Sequence, residues 1–469
     1  MKILLIPLVT LAFQISCAQG IREKLEKGVR KLEADSQMRH AIVSLCVIDA
    51  KNGRLVYGHH EQMGLVPASC QKLFTSAAAF DLLGHDYRYK TLLKYDGRIE
   101  NGTLLGNVFL VGSGDPTLGS RRWKETREDF VFSEILTALR MNHINKISGK
   151  FFLDDSKFSM QPIPDGWTWG DMGNYYGAGC WGINWKENQY DMLLKPGSKI
   201  GDTVEIIALV PALKLEGMIN EITTAEKGSG DNGNIYLPPY AVFGFTGGTI
   251  PMGTEHFTIS GAVPYPSDQL REEIEDSLIK HDLLVEKGYH LYREKSADKQ
   301  YWGEPSGNLT THYSPTLDSI NYWFLKKSIN LYGEALIKTL SYEKTGKGST
   351  DKGIQILKEF WMAHGIEGAA INLVDGSGLS PQNRVTTDAL VKVLQYARNR
   401  TWFPSFYSAL PDIHGLKMKS GSIGGARSFA GFQTSREGRE YLFAIIVNNY
   451  DGFSSLIVQK LWKLLDLLK

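Results

Sequence analysis

The pattern of apolar and polar positions divides the chain into elements of two kinds. Residues 41–49 (Ala-Ile-Val-Ser-Leu-Cys-Val-Ile-Asp) are an apolar run of strand length. Lys51-Asn52-Gly53 supplies a turn, and residues 55–58 read as a second strand, giving a hairpin. Before it, residues 21–34 set charged and apolar positions in helical register. After it, Pro67 and Ala68 lead into an Ala-, Leu- and Phe-rich run that stops at Gly84, which predicts a buried helix with a proline lead-in and a glycine stop.

From about residue 87 the texture changes to short strands and glycine turns. A helical stretch over 132–141 leads to a strand over 149–155, which suggests an α/β unit. Residues 191–261 are strand- and turn-rich, with strands expected near 203–207 and 248–251 and an exposed loop over the polar, glycine-rich 227–234. A helix is expected over 267–284, and helical patterning resumes near 318, over 331–340 and over 353–364. Residues 416–423, 428–433 and 441–447 read as an antiparallel meander turned by Gly424-Gly425 and Glu437-Gly438. The amphipathic 454–468 segment carries a leucine stripe suited to packing on that sheet.

Composition adds bounds. A 469-residue chain with 42% hydrophobic and 22% charged residues should form about two or three domains, each with its own core. A net charge of +1 gives no bulk electrostatic case for nucleic acid or an anionic membrane. Lys2, the apolar 3–15 run and the small residues Ser16-Cys17-Ala18 read as a signal peptide over 1–18, so a periplasmic or extracytoplasmic location is expected. Cys17 offers a lipoprotein alternative, against which Gln14 stands where an aliphatic residue is wanted. No later run is long and apolar enough to predict a transmembrane helix. Past that leader, Cys46, Cys70 and Cys180 cannot all pair, and their spacing is no metal framework.

The chemistry begins at Ser69. It opens the buried helix, and Lys72 follows three residues later on the same face. A serine hydroxyl is a weak nucleophile until a neighbouring base takes its proton. A lysine one turn away, its pKa lowered in a partly dry cleft, can be that base, and the helix N-terminus favours developing negative charge. Ser-x-x-Lys recurs at Ser277/Lys280, Ser341/Lys344 and Ser349/Lys352, so the spacing alone decides nothing. Ser277 lies in a charged helix and the other two in a Gly/Lys/Ser loop; only Ser69 begins a helix apolar enough to be central. Cys70 projects from a different face and reads as a small packed residue.

Acyl transfer from a peptide that ends in a carboxylate also needs a leaving-group acid, a cation for the carboxylate and an oxyanion hole. Lys419-Ser420-Gly421-Ser422, on a strand, fits the last roles: positive potential, hydroxyls, and a glycine that admits a substrate backbone. The backbone N–H groups of Ser69 and Ser422 are candidates for the oxyanion hole. A Ser-x-Asn triplet occurs at Ser328/Asn330 and again at Ser319/Asn321; on a continuous helix, nine residues turn the two copies to opposite faces, so only one can serve. Lys344-Thr345-Gly346 looks like a second strand motif but sits in a polar loop without strand pattern.

Ser69-x-x-Lys72, Ser328-x-Asn330 and Lys419-Ser420-Gly421, in that order, resemble the three motifs of penicillin-binding proteins and serine β-lactamases. More narrowly, the chain resembles the low-molecular-mass class C penicillin-binding proteins, the D-alanyl-D-alanine carboxypeptidase/endopeptidase family. Gly112-Ser113-Gly114-Asp115-Pro116, Asp154-Asp155-Ser156-x-Phe158, Trp167-x-Trp169 with Tyr175-Tyr176, and Asp375-Gly376-Ser377-Gly378-Leu379-Ser380 agree, and the match covers nearly the whole mature chain. The glycine-rich and Asp375 stretches read as turns, and the tryptophan pair as domain packing.

The stretch from Lys72 to Ser328 is far longer than β-lactamases allow, and the family carries inserted domains there. The resemblance also selects Ser328 over Ser319, through the Leu-Tyr-x-Glu helix that follows. One departure is Ser420, where the family usually has threonine; the hydroxyl is kept, so activity is expected.

The fold class implied is α/β: a penicillin-binding-protein/β-lactamase-like catalytic domain, an antiparallel sheet with helices on both faces, interrupted by inserted α/β and β-rich domains. Residues 19–90 and 300–469 would form the catalytic domain. Residues 91–190 and 262–299 would form the inserted α/β domain, and 191–261 the β-rich one. The implied activity is cleavage of D-Ala-D-Ala in peptidoglycan stem peptides, or of cross-links, through an acyl-enzyme that β-lactams trap. In this scheme Ser69 attacks and Lys72 takes its proton. Ser328 protonates the leaving amine, Asn330 orients Lys72 and the substrate amide, and Lys419, Ser420 and Ser422 hold the carboxylate. No metal or organic cofactor is expected. The rival readings are a β-lactam hydrolase and a non-catalytic wall-binding protein of the same fold.

Overall fold

The computed structural model describes residues 6–285, 305 and 307–469, with side chains from residue 20 onward. The leader and Cys17 expectations therefore fall on residues whose side chains lie outside the described set. Among the described residues, no helix is long and apolar enough to cross a membrane.

Contacts divide the chain into two units, one of residues 1–82, 321–328 and 354–469, the other of residues 83–320 and 329–353. The first is built on a six-stranded antiparallel sheet. Its strands are β1 (Ile42–Asp49), β2 (Leu55–His59), β3 (Asp412–Ile413), β4 (Leu416–Ile423), β5 (Ala426–Thr434) and β6 (Glu440–Asn448), in the order β3-β4-β5-β6-β1-β2. The expected hairpin and meander are both present. Strands β1 and β6 pair with each other at the centre, covered on both faces, which explains why their sequences run apolar without alternating. One face packs Leu25, Val29, Ile457, Leu461 and Leu464, from the helices Ile6–Glu33 and Ser454–Leu465, against Leu45, Phe443 and Ile445. The closing helix's leucine stripe thus lies on the sheet, as its pattern predicts.

The second unit has a four-stranded sheet ordered Gly307–Tyr313, Lys90–Tyr95, Val108–Val111 and Phe151–Asp154. Helices Glu128–Met141 and Pro266–Lys280 close its core through Leu139, Ile135, Leu270 and Ile274. A separate core of Tyr190, Met192, Leu194, Ile222, Ile235 and Ile250 lies between two small sheets drawn from residues 189–262. Strand Asn232–Tyr236 takes up the last part of the expected 227–234 loop, because pairing with Phe243–Pro251 satisfies its backbone. Trp167 is buried, as packing requires, whereas Trp169 is 52% exposed and stacks on Tyr236.

Helix Asn330–Thr345 belongs to the second unit and is buried from Leu331 to Ser341. Its polar side chains are satisfied there: Tyr332 donates to Glu187, and Lys338 Nζ donates to the Gln161 and Cys180 carbonyls at 2.7 and 2.8 Å. Two loop expectations change. Ser341 and Lys344 lie inside this helix, and Lys344-Thr345-Gly346 is its C-terminal end, closed by Gly346 in the left-handed region. The helix persists through this polar stretch because Gly346 N–H returns to the Tyr342 carbonyl.

Candidate active site

Ser69 lies in a 3-10 turn, Ala68–Gln71, that runs directly into the helix Lys72–Leu83. The helix is buried from Lys72 to Phe80, so its apolar residues fix the turn from below. Lys72 itself has no exposed surface. Its Nζ donates to Ser69 Oγ at 3.0 Å and to the Ser377 carbonyl at 2.6 Å, and sits 5.8 Å from the centre of the Phe324 ring. The side-chain contact expected from the Ser-x-x-Lys spacing is thus formed within the first unit.

The sequence reading gives the orientation of Lys72 to Asn330 and assigns no part in it to the Ser377 carbonyl. The Asp375–Ser380 turn is structural, as its pattern suggests, yet it reaches Lys72 through the Ser377 main chain. The Asp375 carboxylate accepts from Gln71 Nε2 (3.0 Å), Gly378 N–H (2.7 Å), Ser380 N–H (2.7 Å) and Asn383 Nδ2 (3.0 Å). Thr75 Oγ1 donates to the Gly376 carbonyl at 2.7 Å. Gly378, at φ +81°, passes so close to residue 68 that a Cβ there would lie 2.0 Å from the Ala68 carbonyl oxygen. The loop is thereby locked to the Ser69 turn with the Ser377 carbonyl aimed at Lys72. Asp375→Ala should strand these buried donors and lower stability by about 3 kcal/mol. An unchanged calorimetric midpoint would refute this.

Strand β4 flanks the same turn. Strand β3 pairs only with Leu416 and Lys417, so β4 beyond Met418 is not paired by β3. Gly421 packs against the Ser69 turn: a Cβ there would lie 2.8 Å from Ser69 N and 2.5 Å from the Pro67 carbonyl oxygen. Ser428 Oγ, on β5, donates to that same carbonyl. Lys419 is buried, its Nζ donating to the Ser420 carbonyl at 2.8 Å. Burial pulls its pKa down to about 8, with the nearby Arg427 charge adding to the fall. Ser420 is half-buried and Ser422 exposed at the strand's end. Cys70 is packed, its thiol donating to the Lys419 carbonyl at 3.2 Å, and burial raises its pKa. That environment suits a structural thiol and not a nucleophile.

Ser328 and Asn330 depart from the helical picture. Ser328 lies between helices Leu317–Lys326 and Asn330–Thr345, at φ +58°, and only Asn330 is helical. The left-handed serine breaks the helix, so the face-counting argument over nine residues does not apply. Ser328 ends the 321–328 segment of the first unit, four residues after the Phe324 that faces Lys72. Asn330 opens its helix in the second unit, its Nδ2 donating to the Tyr176 carbonyl at 2.8 Å. This bond uses only the Tyr176 main chain, which any residue type would offer. In the alternative triplet, Asn321 lies inside the helix Leu317–Lys326 and is wholly buried.

A serine whose hydroxyl meets a buried lysine, beside a strand carrying Lys-Ser-Gly, is a constellation for acyl transfer. Residues 25–415 match the D-Ala-D-Ala carboxypeptidase 3 (S13) family. The chain belongs to this family. It is a serine-type D-Ala-D-Ala carboxypeptidase by that membership, and a low-molecular-mass class C penicillin-binding protein. The D-alanyl-D-alanine carboxypeptidase of Actinomadura sp. (strain R39) is 26% identical over 94% of this chain and 84% of that protein. The D-alanyl-D-alanine carboxypeptidase DacB of Haemophilus influenzae is 26% identical over 86% of this chain and 85% of that protein. The solved structure of Haemophilus influenzae penicillin binding protein 4 superposes with a TM-score of 0.77, at 22% identity, covering 96% of this chain and 98% of that one. The S13 chain thus has the class C penicillin-binding fold that its motifs implied.

Proposed function

We propose that this S13 enzyme cleaves the terminal D-Ala-D-Ala bond of peptidoglycan stem peptides through an acyl-Ser69 intermediate that penicillins trap. The observation that carries the reading is the 3.0 Å contact from buried Lys72 Nζ to Ser69 Oγ, held by the Ser377 carbonyl. Ser69 Oγ attacks the scissile carbonyl as Lys72 takes its proton. The motif gives Ser328 the proton passed to the leaving D-Ala amine, and Asn330 the orientation of Lys72 and the substrate amide. Lys419, Ser420 and Ser422 take the C-terminal carboxylate along the β4 edge, while Gly421 faces the Ser69 turn, which fills the space a side chain would need, and not the substrate as its sequence reading had it. The N–H groups of Ser69 and Ser422 receive the oxyanion. Water then releases the shortened peptide.

The relatives named above support this substrate class, and one solved structure of the Haemophilus influenzae protein is a complex with a β-lactam. A periplasmic or extracytoplasmic location follows from the leader pattern. The catalytic domain of 19–90 and 300–469 with two inserted modules belongs to the same proposal; the separate cores within residues 93–283 and 190–263 support two modules, while residues 83–90, 307–320 and 329–353 group by contacts with the second unit.

A peptide ending in D-Ala-D-Ala, incubated with the chain, should release free D-Ala, and prior treatment with penicillin should stop the release. Neither release nor inhibition from a folded protein would overturn the reading. Rapid loss of the penicilloyl adduct would instead favour a β-lactam hydrolase. Muropeptide binding without turnover would favour a wall-binding protein.

The lowered Lys419 pKa gives a second test. Its ammonium form is present below about pH 8 and lost above. For a substrate with a free carboxylate, kcat/KM should fall by about tenfold per pH unit beyond that point. A C-terminally amidated analogue should lack this limb; the same limb in both would remove Lys419 from carboxylate recognition.

A further inference from the structure

Glu33, His59 and His60 bring three metal-ligating atoms within 4.8 Å of one another in the first unit. Glu33 is the last residue of the helix Ile6–Glu33, and His59 the last of edge strand β2. Consecutive strand residues point to opposite faces. Here His60 adopts φ +48°, which breaks the alternation and brings the two rings to 4.2 Å between centroids. That conformation is held: the His60 carbonyl accepts from Ser44 Oγ at 3.0 Å and from Met63 N–H at 2.9 Å. A left-handed non-glycine residue fixed in this way is a cost that needs a compensating interaction.

The ring chemistry fits a metal better than a simple ion pair. His60 Nδ1 lies 3.1 Å from the Val43 carbonyl, which can only accept, so Nδ1 carries the proton and Nε2 presents its lone pair. A backbone carbonyl behind one ring nitrogen is how ligating imidazoles are oriented. His59 Nε2 and Glu33 Oε1 are already 2.7 Å apart, with the two side chains 24% and 36% exposed, so small rotations bring them to the about 3.3 Å edge of a tetrahedron with bonds of about 2.0 Å. The carbonyl end of the helix adds negative potential at Glu33.

We propose that Glu33, His59 and His60 form a divalent transition-metal site of the zinc type, with solvent as fourth ligand, that clips the first helix to the sheet edge. Its ligands are distinct from the Ser69 machinery. Imidazole and carboxylate donors suit Zn2+ and disfavour Ca2+ or Mg2+.

The test uses the chain without a polyhistidine tag, stripped of metal and titrated with Zn2+ by calorimetry and, in parallel, with Co2+ by visible absorption. Wild type should bind one ion per chain, show the intense bands of low-coordinate cobalt, and gain thermal midpoint with Zn2+ but not Mg2+. His60→Ala and Glu33→Gln should each weaken binding about tenfold or more. Circular dichroism establishes that the variants fold; if His60→Ala does not, the half-exposed isostere Glu33→Gln decides. No stoichiometric binding to wild type, or equal binding to every folded variant, would overturn the proposal.

Discussion

Ser69→Ala is expected to abolish covalent labelling by penicillin and to lower kcat/KM on a D-Ala-D-Ala peptide by about 10^4-fold or more. Removal of an activated serine eliminates the covalent route, and losses of this order are typical when one member of a nucleophile–base unit is deleted. The fold should not suffer. Ser69 sits in a 3-10 turn whose position is set by buried neighbours, including Ala68, Cys70 and Gln71, and alanine fits that backbone. Lys72 loses one hydrogen-bond acceptor but keeps the Ser377 carbonyl. Fluorescent penicillin followed by denaturing electrophoresis reads the result directly. A labelled band that survives in the folded variant would assign the nucleophile elsewhere.

The second large effect is expected at Lys72, where two substitutions separate two roles. Lys72→Met removes the base, and a positioned base contributes about 10^2- to 10^4-fold. Lys72→Arg preserves a positive charge but installs a guanidinium that does not deprotonate in proteins. If Lys72 takes the Ser69 proton, both variants should acylate at least about 10^2-fold more slowly than wild type. If the lysine served only as a fixed charge, arginine would retain most of the rate. Stopped-flow acylation rates with a chromogenic cephalosporin distinguish the cases. The Met variant should also lose stability, because the Ser377 carbonyl, buried beneath the site, is left without the donor that Nζ supplies.

How far the site could be read from the chain depends on how each residue acts. Ser69 and Lys72 work through side chains at helical spacing, and an unusually apolar helix marks them out from three other copies of the same spacing. The meander that carries Lys419 to Ser422 announces itself through strand-length apolar runs and glycine turns. The Ser377 contribution left no such trace: its carbonyl does the holding, and any residue type offers a carbonyl. Asp375 could be suspected from its turn, but its carboxylate gathers donors as distant in sequence as Gln71. Ser328 misled the helical reading because a left-handed serine between two helices has no compositional signature, unlike glycine at Gly346. The 341–345 stretch looked like a loop because its residues are polar, whereas the capping glycine after it let the helix run on. Trp169 is an aromatic of a packing type that the fold leaves half in solvent against Tyr236.

The close approach of Gly421 to the Ser69 turn bears on how sequence variation at this motif should be interpreted. A library randomised over residues 420–422 and sorted only for soluble, folded protein, with no exposure to substrate or antibiotic, should return glycine at 421 almost uniformly. Any side chain there would meet the Ser69 amide and the Pro67 carbonyl before chemistry is ever tested. Half-buried Ser420 and exposed Ser422 should drift in the same sort and become fixed only under selection for turnover. Invariance at one position of a catalytic signature would then record folding, and invariance at its neighbours would record reaction.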